Sequence, residues 1–156
     1  MENEKKTEQS CCYNETLSKE KLEELYKNVT MSSCAIDNIL SYAKGDLFNV
    51  LKSQQEKYND FAKQAENIAE SLNFKMKDAS SFAKGMADMG IKMKMAADNR
   101  NENIAKIMFL GSSNGIIDLC ISLRHKTEGV RPEIIELIKT VLKFEEDKTE
   151  LMKYYL

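Results

Sequence analysis

Proline is almost missing from this sequence: Pro132 is the only one. Nothing upstream of it is therefore forced to break a helix. Glycine is scarce as well, with six residues, too few to punctuate a β-rich chain with tight turns. Histidine occurs once, at position 125, which leaves no second imidazole for a histidine-based metal site or a catalytic triad with a spare base. Neither charge sign dominates, since 23 Lys and Arg face 25 Asp and Glu. A basic face for nucleic acid and a strongly acidic tail are both excluded on that balance. The most apolar stretch, about Ile104 to Leu123, is interrupted by Lys106, by Gly111-Ser-Ser-Asn-Gly115 and by Asp118, so no membrane span is expected. The first ten residues carry charge and no apolar core, so no export signal is expected. Four cysteines without such a signal point to reduced thiols and a cytoplasmic setting.

What the chain has in quantity is helix-forming material: Lys, Glu, Leu, Ala, Met and Ile. Its length, 156 residues, suits one domain with a real core. Residues 1–16 are polar and aperiodic and read as a disordered tail before a single domain over 17–156. Cys11 and Cys12 lie in that tail, where neighbouring cysteines bridge poorly and no nearby ligand completes a metal site. Cys34 and Cys120 fall on or near helical stripes, as small hydrophobes.

The clearest pattern runs from Asp46 to Leu72. Leu47, Leu51, Gln54, Tyr58, Phe61, Ala65, Ile68 and Leu72 recur at alternating steps of four and three, one stripe of an α-helix. A first helix is predicted from Ser18 to Gly45, with Gly45 as its cap and Asp46 capping the next. The second runs to about Asn73. A weaker third, about Ala79 to Asp98, carries Phe82, Met86, Met89 and Met93 on one stripe and is weakened by Gly85 and Gly90. A fourth covers about Asn101 to Arg124. Two stripes are predicted inward there: Ile107, Leu110, Asn114, Ile117 and Ile121, and Phe109, Ser113, Ile116, Cys120 and Leu123. The apolar rhythm keeps phase across Gly111-Ser-Ser-Asn-Gly115, which predicts unbroken helix with Gly111 and Gly115 as close-contact points. A fifth helix starts at Pro132, a favoured first helical position, and runs nearly to Leu156. Both of its stripes pass through Glu145.

The short links predict two antiparallel helical hairpins joined by a long crossover with a short helix of its own. This all-α plan resembles the ferritin-like superfamily, and within it small bacterial bundles without the di-metal ligands. In metal-binding members two helices each give a Glu and two others a Glu-x-x-His pair. Here the matching places read Gln54-Gln-Glu-Lys57, followed by Tyr58, and Glu145-Glu-Asp-Lys148. Lys stands where each His would be, and a protonated ammonium cannot ligate a metal.

The resemblance therefore implies a four-helix bundle with no metal and no other cofactor. An internal polar network is expected instead, drawn from Asp37, Gln54, Lys57, Tyr58, Asn114, Asp118, Glu145 and Lys148. The expected role is non-catalytic: a structural or interaction protein that self-associates or docks an unknown protein partner, away from nucleic acid and membranes. The alternatives are a small-ligand binder and a degenerate di-metal carboxylate protein.

Overall fold

The computed structural model describes residues 12–77 and 97–156, with Gly90, Ile91, Lys94 and Met95 between them. It is all-α: four long helices and, among the described residues, no strand. They are α1 (Glu15–Leu40), α2 (Asp46–Ser71), α3 (Asn101–Arg124) and α4 (Pro132–Met152), the last prolonged by a 3-10 turn over Lys153–Tyr155. Most of the predicted helix at 79–98, with its Met stripe, lies outside the described residues.

The start of α1 corrects the tail assignment at its inner end. Asn14 caps the helix by accepting from the Leu17 N–H at 2.9 Å, a strong N-cap arrangement. Its own N–H donates to the Gly129 carbonyl at 2.7 Å. The Arg131 side chain pairs with Glu15 and stacks 4.7 Å from the centre of the Tyr13 ring. Residues 12–16 thus pack against the link between α3 and α4. Cys11 lies outside the described residues, and Cys12 is exposed.

The first link is also set differently from expectation. α1 ends at Leu40, and Gly45 serves the start of α2 with φ +59. That left-handed backbone suits glycine, so its role is the turn into α2. Asn101 ties this link to α3, donating to the Lys44 carbonyl at 2.9 Å and accepting from the Lys44 N–H at 3.1 Å.

α1 packs mainly on α2, and α3 on α4, while all four helices feed one core. Leu22, Ile36, Leu51, Phe61, Ile104 and Ile138 are among its fully buried members. α3 runs unbroken through Gly111 and Gly115 as predicted, but its phase is corrected. Its buried residues are Ile104, Ala105, Met108, Ser112, Gly115, Leu119 and Ser122. The first predicted stripe is thus rotated outward by about one residue, or about 100°. Leu110, Ile117 and Ile121 are 47%, 55% and 52% exposed.

α3 also overturns the expectation about apolar length. An 18-residue window within this 24-residue helix has a mean hydropathy of 1.4, enough to cross a membrane by length and composition alone. Gly and Ser are too weakly polar to offset the surrounding Ile and Leu. The same helix gives Ile104, Ala105, Met108 and Leu119 to the shared core.

Candidate functional site

Three of the expected polar residues meet in the interior. Glu145 and Lys148 are three apart on α4, so they share one helix face. That face is inward: Glu145 is 1% exposed and Lys148 4%. Tyr58 comes from α2 and is fully buried. Its hydroxyl donates to Glu145 Oε1 at 2.5 Å and accepts from Lys148 Nζ. Glu145 Oε2 faces Lys148 Nζ at 3.3 Å. Phe144 meets Tyr58 edge-on, with ring centres 5.2 Å apart, and Phe61 closes the same wall.

Burial in this apolar setting raises the Tyr58 pKa well above its usual 10.0, and the Glu145 charge adds to the rise. The Ser32 and Ser112 hydroxyls act the other way and lose. Burial likewise pulls Lys148 below its usual 10.5, opposed by its attraction to Glu145. Desolvation is thus the larger effect on both groups. A buried charge needs a partner of opposite sign; Glu145 and Lys148 are that pair for each other, although Glu145 Oε2 itself accepts no hydrogen bond among the described residues.

The other expected network residues lie elsewhere. Gln54 is buried one turn from Tyr58, but its amide atoms have no hydrogen-bond partner among the described residues. Lys57 is on the surface, its Nζ 5.2 Å from the centre of the Phe61 ring. Its long stem carries the charge outward, as lysine readily does. Asp37 is exposed and accepts from Gln55 Nε2. Asn114 and Asp118 are exposed because the α3 face they share was misphased. Gly111 is exposed too. Gly115 alone of the two glycines is an inner contact, with a built Cβ 3.5 Å from Asn28 Nδ2 and 3.8 Å from the Glu145 carboxyl carbon.

The centre does not fit a metal pair. Glu145 is held by a hydroxyl and an ammonium, and no group of three or more His, Cys, Asp or Glu side chains among the described residues could hold an ion.

Beside this centre, α1 and α3 stand apart along a half-open groove of ≈ 910 Å³. Such a volume falls within the roughly 300–1,000 Å³ typical of small-molecule sites. Met31 and Ala35 from α1 and Ile107, Leu110 and Ile121 from α3 form apolar walls. The misphased stripe of α3 therefore has a location: much of it lines this groove. The floor is polar and reaches Lys148 and Gly115. Two floor atoms are buried without a hydrogen-bond partner among the described residues, Asn28 Oδ1 and Ser122 Oγ, while the Ser112 hydroxyl faces Tyr58. Lys21 closes one end. Its ammonium donates to the Ser122 carbonyl at 2.6 Å and the His125 carbonyl at 2.8 Å, capping α3.

Sequence reasoning had passed over Lys21, Asn28 and Ser112. A signal was present: Ser18, Lys21, Leu25, Asn28, Ser32 and Ala35 repeat at steps of three and four along α1. That stripe is largely polar, and apolar periodicity does not single it out.

No protein-family model matches the chain, and no curated protein or solved structure matches it either.

Proposed function

We propose that this chain is a non-catalytic helical bundle of ferritin-like arrangement, without a metal centre, that holds a small molecule in the α1–α3 groove. One observation carries the reading: a ligand-sized cavity has apolar walls and a floor of buried, unpartnered polar atoms. Buried polar groups without partners are costly, and a bound polar group at the floor would relieve them.

The antiparallel arrangement is supported by cross-helix contacts. Asp37 pairs with Gln55, Ser33 with Asn59 and Tyr26 with Glu66, so α2 numbers rise as α1 numbers fall. Lys21 meets 122 and 125 while Asn28 meets 115, the same inverse order between α1 and α3. Two pairs of helices joined by residues 72–100 match the crossover plan of ferritin-like bundles. The metal-free reading rests on Lys148, whose ammonium occupies one side of Glu145.

Native mass spectrometry of the purified chain tests both halves. A bound small-molecule mass that washes out on unfolding supports the groove reading. Two tightly held metal ions per chain contradict the metal-free centre.

A second reading, a protein-interaction role, is favoured by the exposed Leu110, Ile117 and Ile121. Ile117 is absent from the groove lining and so separates the two. Loss of self-association in Ile117→Asp, with ligand binding kept, would favour interaction as an added role.

A further inference from the structure

We infer that the groove takes an aliphatic ligand with a carboxylate head, held at the Lys21 end. This rests on the groove reading above and adds the ligand's chemistry and direction. Five lysines line the groove against three carboxylates, those of Glu20, Glu24 and Asp118. Lys148 is already matched by Glu145. Lys21 is not matched. It is 6% exposed, and among the described residues its ammonium meets only the Ser122 and His125 carbonyls. A buried cation without an opposite charge is costly, and an anion beside it would remove that cost. Glu20 and Glu24 stand exposed on the rim, where water and salt screen them.

The donors at this end number two. An ammonium has three N–H groups, and carbonyls occupy two of those on Lys21. The third joins the Ser122 hydroxyl, which is buried and unpartnered among the described residues. Two donors suit the two oxygens of one carboxylate. Lys126, just past the end of α3, adds a cation at the mouth. The C-terminal end of α3 would itself repel an anion, so Lys21 and Lys126 carry the attraction.

The rest of the groove sets the direction of the tail. Its middle offers an anion nothing. Asn28 Oδ1 only accepts, and the Glu145 carboxyl carbon lies 3.8 Å from a Cβ built on Gly115. Beyond Asn28 the walls turn apolar, with Met31 and Ala35 from α1 and Ile107, Met108 and Leu110 from α3. Methionine there gives a flexible surface that adapts to an aliphatic body. Lys21 and Ala35 lie about 21 Å apart along α1, which leaves room for a long chain. The head is therefore confined to the Lys21 end, and the tail runs towards Met31 and Ile107.

Calorimetric titration of the full chain with decanoate, 1-decanol, decylamine and decyl phosphate tests this, since the four share a tail and differ in the head. Decanoate is expected to bind about tenfold more tightly than 1-decanol, as hydrogen bonds to a charged group allow, and decylamine more weakly than either. Ser122→Ala removes an unpartnered hydroxyl and should weaken decanoate about five- to tenfold, leaving 1-decanol unchanged. Lys21→Met should abolish the preference for decanoate over 1-decanol. Binding of 1-decanol or decylamine as tight as that of decanoate overturns the head-group inference and leaves the groove reading standing. Tighter binding of decyl phosphate overturns the carboxylate assignment in the same way. A decanoate preference that survives Ser122→Ala, and Lys21→Met where that variant folds, places the head elsewhere and also overturns the inference. Failure of all four probes, together with no displaceable small molecule, removes the groove reading itself.

Discussion

Tyr58 on α2 and Glu145 on α4 lie 87 residues apart in sequence and share a 2.5 Å hydrogen bond in the fully buried interior. Lys148 completes the group from one turn further along α4. Removing one member strands the others. Glu145→Ala is expected to destabilise the fold by about 3–5 kcal/mol, the range for an unmatched buried charge. Joint replacement, Glu145→Leu with Lys148→Met, is expected to recover most of that loss, because a packed apolar pair needs no charge compensation. Urea unfolding of the two variants measures both.

The same trio predicts a pH profile. Tyr58 has a folded pKa raised above 10.0 by burial. Its contribution is fully present below pH 10 and is lost as pH rises beyond, because the unfolded chain releases the proton first. Lys148 has a folded pKa lowered from 10.5. Its contribution is present above that value and is lost as pH falls through the folded pKa, because the unfolded chain holds more protons in that window. Each slope is bounded by about 1.4 kcal/mol per pH unit. Tyr58→Phe should flatten the loss of stability above pH 10 relative to the wild type, and Lys148→Met should flatten the gain on approach to 10.5. Unfolding curves taken from pH 7 to 11 report the differences.

Lys21 caps α3 through two carbonyls, those of Ser122 and His125. A charged donor to a buried acceptor contributes about 1.5–3 kcal/mol. Lys21→Met keeps the apolar stem and removes that donor, so its thermal midpoint should fall. An unchanged midpoint would remove the capping role.

Gly111 sits mid-helix on the groove mouth, and a Cβ there meets nothing within 4 Å among the described residues. Gly111→Ala should therefore raise stability by about 0.5–1 kcal/mol through helix propensity alone. Urea midpoints of the two proteins decide it.

The all-α class and the unbroken run through Gly111 and Gly115 were legible because helix rhythm and the lack of proline act locally. Glu145 was legible for a related reason: both predicted stripes of α4 ran through it. The phase of α3 was not. Apolar weight pointed to Ile107, Leu110, Ile117 and Ile121, whereas the inward face carries Ser112, Gly115 and Ser122. That face lies beside polar neighbours, Asn28 and Glu145 next to Gly115, a pairing that hydropathy does not score. Asn114, Asp118 and Gly111 were misplaced with that face. Lys57 was misplaced because its inward assignment rested on a motif position, and a lysine stem can carry its charge back to water. Lys21 and Asn28 were missed because a polar stripe reads as surface until a groove is known to lie over it.

The groove is most directly probed by titrating the purified chain with Nile red, a neutral apolar dye, beside the variant Gly111→Phe. The open space at Gly111 lets the ring enter the mouth without disturbing the core. Saturable one-to-one binding by the wild type, lost in a variant of equal stability, is the predicted result. No saturable binding by the wild type, or undiminished binding by the variant, would contradict a ligand-holding groove.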